Sequence, residues 1–305
     1  MPSNCPLMPM PHKVSVITPS YNQGRFIERT IQSVLSQQFS GSLEYLVMDG
    51  GSRDETVPIL RRYGDCIQWV SEKDNGQGDA VNKGFQRSHG EILGWMNSDD
   101  IYYPGAINAA CDFFAAHPEI DVIYGNANHI DEHDQVLESY PTEDWDFERF
   151  KERCYICQPA IFLRRSIVER VGPLDPRLYF CMDYDYWIRL ALAGARFSRV
   201  PHLVAGSRMY ATNKTLGGHV KSHIEINNML RAHFTRVPDR WLFNYAHLVL
   251  DDRGIPRDER LQFTMLVSAL SLSAAVRWNR RISRSMVQTV YQWVGHAVRE
   301  ELRPT

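Results

Sequence analysis

A short apolar run, Ile92 to Met96, ends abruptly in Asn97, Ser98 and two adjacent acids, Asp99 and Asp100. The run reads as a buried strand, and Pro104 with Gly105 closes it and opens the next helix. Carboxylates at the carboxyl end of such a strand point into the crevice where open α/β sheets bind ligands. One acid there could simply cap the helix that starts near Pro104. Two side by side repel each other unless something positive sits with them. The chemistry this suggests is a hard divalent cation, Mn2+ or Mg2+, held by Asp100 and Asp99 and shared with substrate phosphates.

The elements before this pair are those that would position it. Val14–Thr18 is β-branched and ends at Pro19, with the turn Ser20, Tyr21, Asn22, Gln23, Gly24 after it. Phe26, Ile27, Thr30, Ile31, Val34 and Leu35 then follow helical spacing. Leu43–Met48 reads as a second strand, closed by Asp49 to Asp54, and Ile67–Val70 as a third, with a helix at Thr56–Tyr63 between them. The loop Glu72 to Gly78 leads into a helix through Asp79, Asn82 and Phe85. Alternating strands and helices predict a mostly parallel, Rossmann-like sheet with helices on both faces. One edge of it would then carry Asp49, Asp79, Asp99 and Asp100 beside the ring of Tyr21. That set suits a nucleoside diphosphate: a ring to stack on the base, a carboxylate for an imide N–H, and a cation for the phosphates. No Walker sequence and no GxGxxG follows a strand, so the phosphates would depend on the cation.

Farther on, Ile120–Tyr124, Gln158–Leu163 and Arg196–Val204 read as strands, and Asn126–Gln135 as a polar loop. Tyr179–Leu190 enters a helix through Asp183 and Asp185. Asp183 could cap a helix beginning at Tyr184, or the two acids with their aromatic neighbours could form a sugar site with a general base. Ser207 to His219 is a polar, glycine-bearing loop whose Arg208 and Lys214 could close over phosphates; a solvated surface loop is the plain alternative.

Taken together, the chain resembles the inverting family 2 glycosyltransferases of the GT-A fold. The resemblance runs from Val14 to about Gly218. It rests on Thr18-Pro-Ser-Tyr-Asn22, Asp49-Gly-Gly-Ser-Arg-Asp54, Asp74-Asn-Gly-Gln-Gly-Asp79, Asn82-Lys-Gly84, Asn97-Ser-Asp-Asp100 and Met182-Asp-Tyr-Asp185. It implies that Thr18, Pro19 and Tyr21, with Asn22, line a nucleoside pocket and that Asp49 contacts uracil. It further implies that Asp99 approaches ribose and metal, that Asp100 binds the metal, and that Asp183 is the base. Three departures stand out. Met182 replaces the Glu that many members carry before the base, which keeps Asp185 a competitor. Val81 replaces the Arg before Asn82, and Arg208-Met209-Tyr210 replaces an Arg-x-His that can offer a metal-binding histidine. His219 is only a distant substitute for that histidine.

The implied organisation is a 1–12 flexible N-terminus, a 13–218 catalytic domain and a 219–305 helical C-terminal region. The catalytic domain would have a 13–105 nucleotide-sugar half and a 106–218 acceptor half. Composition fits: 305 residues, 44% hydrophobic, 23% charged. A net charge of −2 argues against a general nucleic-acid binder. Six scattered cysteines suit a reducing, cytoplasmic compartment, and Cys154-Tyr-Ile-Cys157 stands without a second pair. In the final helix Arg277, Arg280, Arg281 and Arg284 would share one face, while Ile282, Met286, Val290, Trp293 and Val294 share another. Residues 277–298 could thereby lie peripherally on the inner face of the plasma membrane; packing on the catalytic domain, or a homodimer contact, is the alternative. The implied activity is metal-dependent transfer of a sugar from a nucleotide sugar, UDP first, to a carbohydrate or glycolipid acceptor. A nucleotidyltransferase and a catalytically inactive nucleotide-sugar or carbohydrate-binding module are the competing readings.

Overall fold

The computed structural model describes residues 12–211, 213–214, 219–258 and 260–301. The stretch 1–11, expected to be flexible, and most of the loop between Lys214 and His219 lie outside the described residues. The chain divides into two compact units, Met1–Trp145 with Tyr155–Tyr210, and Asp146–Cys154 with Ala211–Thr305. The division therefore falls after Tyr210 rather than after 218, and a short helix from the middle of the chain belongs to the second unit.

The first unit is built on a nine-stranded sheet. Its strands are β1 (His12–Ser20), β2 (Gly41–Asp49), β3 (Gln68–Ser71), β4 (Ile92–Trp95), β5 (Ile101–Tyr102), β6 (Val122–Ile130), β7 (Val136–Ser139), β8 (Ile161–Arg164) and β9 (Phe197–Arg208). The order is β3-β2-β1-β4-β8-β6-β9-β5, with β7 paired to β6. β3, β2, β1 and β4 are mutually parallel. Val14, Val16, Ile17, Ile92 and Leu93 are all buried, as strands covered on both faces must be. The helices are α1 (Ile27–Leu35), α2 (Thr56–Arg62), α3 (Gln77–Arg87), α4 (Ala106–Ala116), α6 (Arg165–Val171) and α7 (Met182–Leu192), with α5 (Phe147–Glu152) in the second unit. α1 buries Ile27, Thr30, Ile31 and Val34, the i, i+3, i+4, i+7 stripe visible in the sequence. α3 lies so close to β1 that a methyl group on Gly84 would come within 2.3 Å of Ile17 Cγ2.

Several later elements differ from expectation. Asn126–Gln135 is not one loop: Asn126–Ile130 continues β6, pairs with β9 and leads into the β7 hairpin. Ala127 and Ile130 are buried while Asn126, Asn128 and His129 are partly exposed, and this polar composition hides the strand. Gln158–Ala160 is a 3-10 turn before β8, and Pro159 cannot donate to a ladder. β8 runs antiparallel to both β4 and β6. β9 extends to Arg208, four residues past the expected end.

The second unit contains α5 and the helices α8 (His219–His233), α9 (Asp239–Asp252), α10 (Arg260–Asn279) and α11 (Arg284–Glu301). Ala246, Leu250, Phe263 and Val267 form its core cluster, with Trp293 packed against it. Residues 277–298 are not one helix. The chain breaks at Arg280, whose φ is +56°, and Ser283 caps α11 by accepting the Met286 N–H at 2.9 Å. Ser283 and Ser285 also donate to Asp239. The four arginines therefore straddle a turn instead of lining one helical face.

Glu44 fastens the start of this sheet. Its buried carboxylate accepts the Ser15 hydroxyl at 2.5 Å, the His89 N–H at 2.6 Å and faces His89 Nδ1 at 2.9 Å. Burial pushes its pKa up, but these hydrogen bonds outweigh it and hold the carboxyl at about 2. A depressed carboxylate stabilises the fold above its unfolded pKa and loses that contribution as pH falls through its folded one. Glu44→Gln is expected to cost about 1–3 kcal/mol near pH 7. The gap to wild type should close between pH ~4.5 and ~2. Urea midpoints across that range check it.

Candidate active site

The acid pair sits where β4 ends. Asp100 is 4% exposed; one oxygen accepts the Arg208 backbone N–H at 2.8 Å and the other the Asn97 amide at 3.0 Å. Burial first, and the charge of Asp99 second, push its pKa well above the usual carboxylate range. Asp99 is half-buried and accepts the Tyr210 hydroxyl at 2.8 Å. The backbone of the pair is fixed as firmly as the side chains. The Thr30 hydroxyl lies 3.0 and 2.7 Å from the carbonyls of Ser98 and Asp100. Arg208 Nε donates to the Asp99 carbonyl at 2.7 Å.

Arg208 itself departs from the expected phosphate clamp. It is 2% exposed, because β9 runs on and carries it inside the sheet edge. Nη1 donates to the Asp131 carbonyl at 2.6 Å and Nη2 to the Asp134 carboxylate at 2.5 Å. Its guanidinium carbon sits 4.9 Å from the centre of the Phe26 ring. Tyr210 packs on that same ring, at 4.8 Å between centroids, and receives a hydrogen bond from Gln23. Burial first, and the nearby Asp99 charge second, raise the Tyr210 hydroxyl pKa. It stays a protonated donor, not an anionic ligand.

The loops after β1 and β2 form one interlocked rim. Ser20 pairs in register with Asp49. The Asn22 N–H donates to Ser52 Oγ at 2.7 Å, and Asn22 Oδ1 accepts the Arg53 N–H at 2.9 Å, with Asn22 at φ +51°. Asp49 accepts the N–H groups of Gly51 and Ser52 and the hydroxyls of Ser52 and Ser71. Tyr21 stands 61% exposed at this rim. Thr18 and Pro19 are buried instead, and the Thr18 hydroxyl faces Tyr45 at 3.1 Å. Of the expected nucleoside-lining set, Tyr21 and Asn22 are thus the exposed ones.

A chain of amides carries the rim toward α7. Asn97 donates to Asp100 and Gln158 and accepts from Gln77 at 2.8 Å and Trp95 at 3.1 Å. A methyl group on the next residue, Gly78, would lie 3.6 Å from Met182 Sδ. Met182 opens α7, so Asp183 is in the helix's first turn, not at the cap expected before Tyr184. Asp183 is the more open acid. Asp185 is buried and lies 3.5 Å from Arg189 Nε at i, i+4. Arg189 in turn donates to the Pro173 carbonyl.

Two other expected donor contacts have local work. Asp79 accepts the Asn75 N–H at 3.0 Å and pairs with Lys83 at 3.3 Å. The Asn75 bond is the main cause of its lowered pKa. This third-position acid closes the entrance of α3. Asn82 donates to the Leu174 carbonyl at 2.9 Å and accepts the Leu174 N–H at 2.8 Å, a structural tie in place of a ligand contact. Lys214 belongs to the second unit, beside residues outside the described set, as does the backbone of His219. Thr30, Gln77 and Gln158 were given no site role from sequence, and Asn97 and Tyr210 were noted only within motifs. Only Asn97 neighbours the acid pair in sequence; the fold alone brings the others to it.

The pattern of "Glycosyl transferase family 2" matches residues 15–172, more than half of the chain. The chain belongs to glycosyl transferase family 2. A relative from Rickettsia prowazekii, named an uncharacterized glycosyltransferase, is 30% identical over 184 residues, 58% of this chain and 58% of that protein. The match thus spans little more than half the length of that curated relative. A "PGL/p-HBAD biosynthesis glycosyltransferase" of Mycobacterium bovis is 25% identical over 289 residues, 92% of this chain and 96% of its own. Among solved structures, S. aureus TarS 1-349 in complex with UDP-GlcNAc aligns with a TM-score of 0.62 at 17% identity, covering 95% of this chain and 92% of that one. The mannosyltransferase PcManGT from Pyrobaculum calidifontis, in complex with GDP-Man and Mn2+, aligns at 0.56 and 17%, covering 95% and 81%. At these identities the structures establish the shared GT-A fold of this family 2 member.

The site residues fit a hard cation by their chemistry. Among the described residues no group of three or more His, Cys, Asp and Glu side chains gathers as a metal cage. Asp100 and Asp99 offer carboxylate oxygens alone, and Mg2+ or Mn2+ commonly takes one or two carboxylates with water and phosphate completing its shell.

The Arg208 anchor gives a direct test. Arg208→Ala removes three charge-assisted bonds and is expected to cost about 3–5 kcal/mol. Arg208→Lys keeps the charge without the fork and should recover less than half. Guanidinium denaturation of the three proteins checks this; equal midpoints would show that the fork holds nothing.

Proposed function

We propose that the protein is an inverting, metal-dependent glycosyltransferase that moves a sugar from a nucleotide donor, UDP-linked first among candidates, to the hydroxyl of a carbohydrate or glycolipid. The observation that carries this reading is the continuous run of contacts from Asp49 and Asn22, through Tyr210, Asp99, Asp100, Asn97 and Gln77, to the start of α7. In this reading, the groups proposed to meet the base and the phosphates lie in the loops after β1, β2 and β4, and the proposed proton acceptor lies in the first turn of α7. The nucleotide sugars named for TarS and PcManGT are donors of the same chemical class, and the mycobacterial relative is named for PGL/p-HBAD biosynthesis. The scattered cysteines support a cytoplasmic one.

In this mechanism Tyr21 packs on the nucleoside, and Asp49 offers its less occupied oxygen to the base. Mn2+ or Mg2+, when bound by Asp100 and Asp99, would supply charge neutralisation at the departing diphosphate. Asp183 accepts the proton of the acceptor hydroxyl as that oxygen bonds to the anomeric carbon. The bond from that carbon to the diphosphate breaks on the opposite face, which inverts the centre. Asp185 is the weaker candidate for base, since Arg189 engages it inside the helix packing. A nucleotidyltransferase would call for a basic phosphate loop after β1, and Asn22 and Gly24 there bind the neighbouring loop instead.

Two measurements test the reading. Asp183→Asn should leave UDP binding intact and lower sugar transfer by about 10²–10⁴-fold, whereas Asp185→Asn should lower thermal stability and keep transfer. The opposite pattern would move the base to Asp185. Calorimetric titration with UDP should show binding that Mn2+ strengthens and Asp100→Asn weakens about tenfold or more. Binding indifferent to metal would favour a binding module.

A further inference from the structure

The second unit carries a surface that the transfer chemistry does not use. From Arg260 to Arg299 the chain has no aspartate or glutamate, yet it has six arginines. Four of them, Arg277, Arg280, Arg281 and Arg284, surround the turn between α10 and α11, and all four are exposed. None of the four has an ion-pair partner among the described residues, and Arg277 rests over the Trp278 ring at 4.6 Å.

Apolar surface leads up to this turn from both helices. α10 buries Phe263, Val267, Ala274, Ala275 and Trp278 against its own unit. Its other side exposes Met265 (53%), Leu266, Ala269 and Val276 (55%), positions that recur with helical spacing on one face. Beyond the turn come exposed Ile282, Val287 and Tyr291. α10 has the length and composition of a membrane span, with a mean hydropathy of 1.2. Its buried stripe shows a bundle helix that displays its remaining face. Isolated exposed apolar residues need no explanation, but a stripe that ends in uncompensated arginines does.

We infer that this face of α10, with the α10–α11 turn, lies on the surface of an anionic lipid bilayer. Met265, Leu266 and Val276 would enter the headgroup–acyl boundary, and the four arginines would meet lipid phosphates and carboxylates. Charge complementarity selects this occupant. A second copy of the chain would set arginine against arginine across a two-fold axis, and nucleic acid has no use for the aliphatic stripe. Basic residues at an anionic membrane contribute about 1 kcal/mol each, so four of them with a shallow apolar insertion suffice for peripheral attachment. The contact is the turn and α10, not the single amphipathic helix over 277–298 that the sequence suggests. The inference is independent of the donor-site assignment.

The full-length protein would be sedimented with phosphatidylcholine vesicles and with vesicles containing 30 mol% phosphatidylserine. Binding to the anionic vesicles alone is expected. It should fall at least tenfold in Arg280→Glu/Arg281→Glu, and several-fold in Met265→Ser/Val276→Ser. Both variants lie outside the donor site, so UDP titration confirms that each remains folded and reports separately on the donor reading. Equal binding to neutral and anionic vesicles, no binding to either, or variants that bind like wild type would overturn the inference. So would a wild-type dimer in light scattering that the Met265→Ser/Val276→Ser variant abolishes.

Discussion

A single guanidinium, that of Arg208, sits beside the candidate site and ties the turn after β4, the β6–β7 turn and the Phe26 ring together. It binds the Asp99 carbonyl, the Asp131 carbonyl and the Asp134 carboxylate, with Phe26 against its plane. A cation this deep is stable only when every direction of its fork is met. That requirement sets the length of β9, the hairpin turn at Asp134 and the place of α1. The backbone N–H of the same residue binds Asp100. The acid pair, which would repel itself in isolation, is held in shape by a neighbouring charge that never faces the ligand.

This arrangement separates two tasks that sequence motifs run together. Asp99 and Asp100 have accessible or charge-poor oxygens and can meet a cation and a donor. Asn97, Thr30, Arg208 and Gln77 keep those oxygens in place through neutral amides, a hydroxyl and a buried charge. Tyr210 stands between the roles. Its hydroxyl reaches Asp99 and its ring closes the packing over Phe26, at a position where relatives can carry a histidine. A protonated phenol orients a carboxylate but does not replace a metal-binding imidazole, so the protein's share of the proposed metal shell would rest on carboxylates.

The parallel half of the fold was legible because its signals are local. Val14–Thr18, Leu43–Met48 and Ile92–Met96 are largely apolar runs ending in turn residues, and the strands observed there differ from those runs by two residues at most at either end. Asp49, Asp99 and Asp100 could be placed on one edge for the same reason. The later half was less legible, since the ends of β6 and β9, 126–130 and 205–208, are rich in polar and small residues and read as loops. Misplacing the end of β9 turned Arg208 from an internal anchor into a supposed phosphate ligand. Asn82 and Asp79 show a second limit. Sequence tells that a residue can hydrogen-bond, while only the fold tells that Leu174, Asn75 and Lys83 reach it first. At the C-terminus, the period-3.6 pattern ran through Ser283, whose capping bond restarts the helix.

The paired bonds between Asn82 and Leu174 have a consequence for how the two halves of the first unit are aligned. A side-chain amide that both donates to and accepts from one residue reproduces the pairing of a peptide group, at 2.9 and 2.8 Å. It acts as a single rung of sheet set between a helix and a loop. Apolar packing tolerates sliding and small rotations, but such a rung is satisfied in one register and one plane. The segment leading into α7 is thereby indexed against α3, and with it the first turn of α7, where the base is proposed, against the strand edge that holds the acids. The tolerance of the site along that direction is set by the directionality of two hydrogen bonds, and a longer or more acidic side chain at this position would shift the frame without altering a residue that meets the ligand.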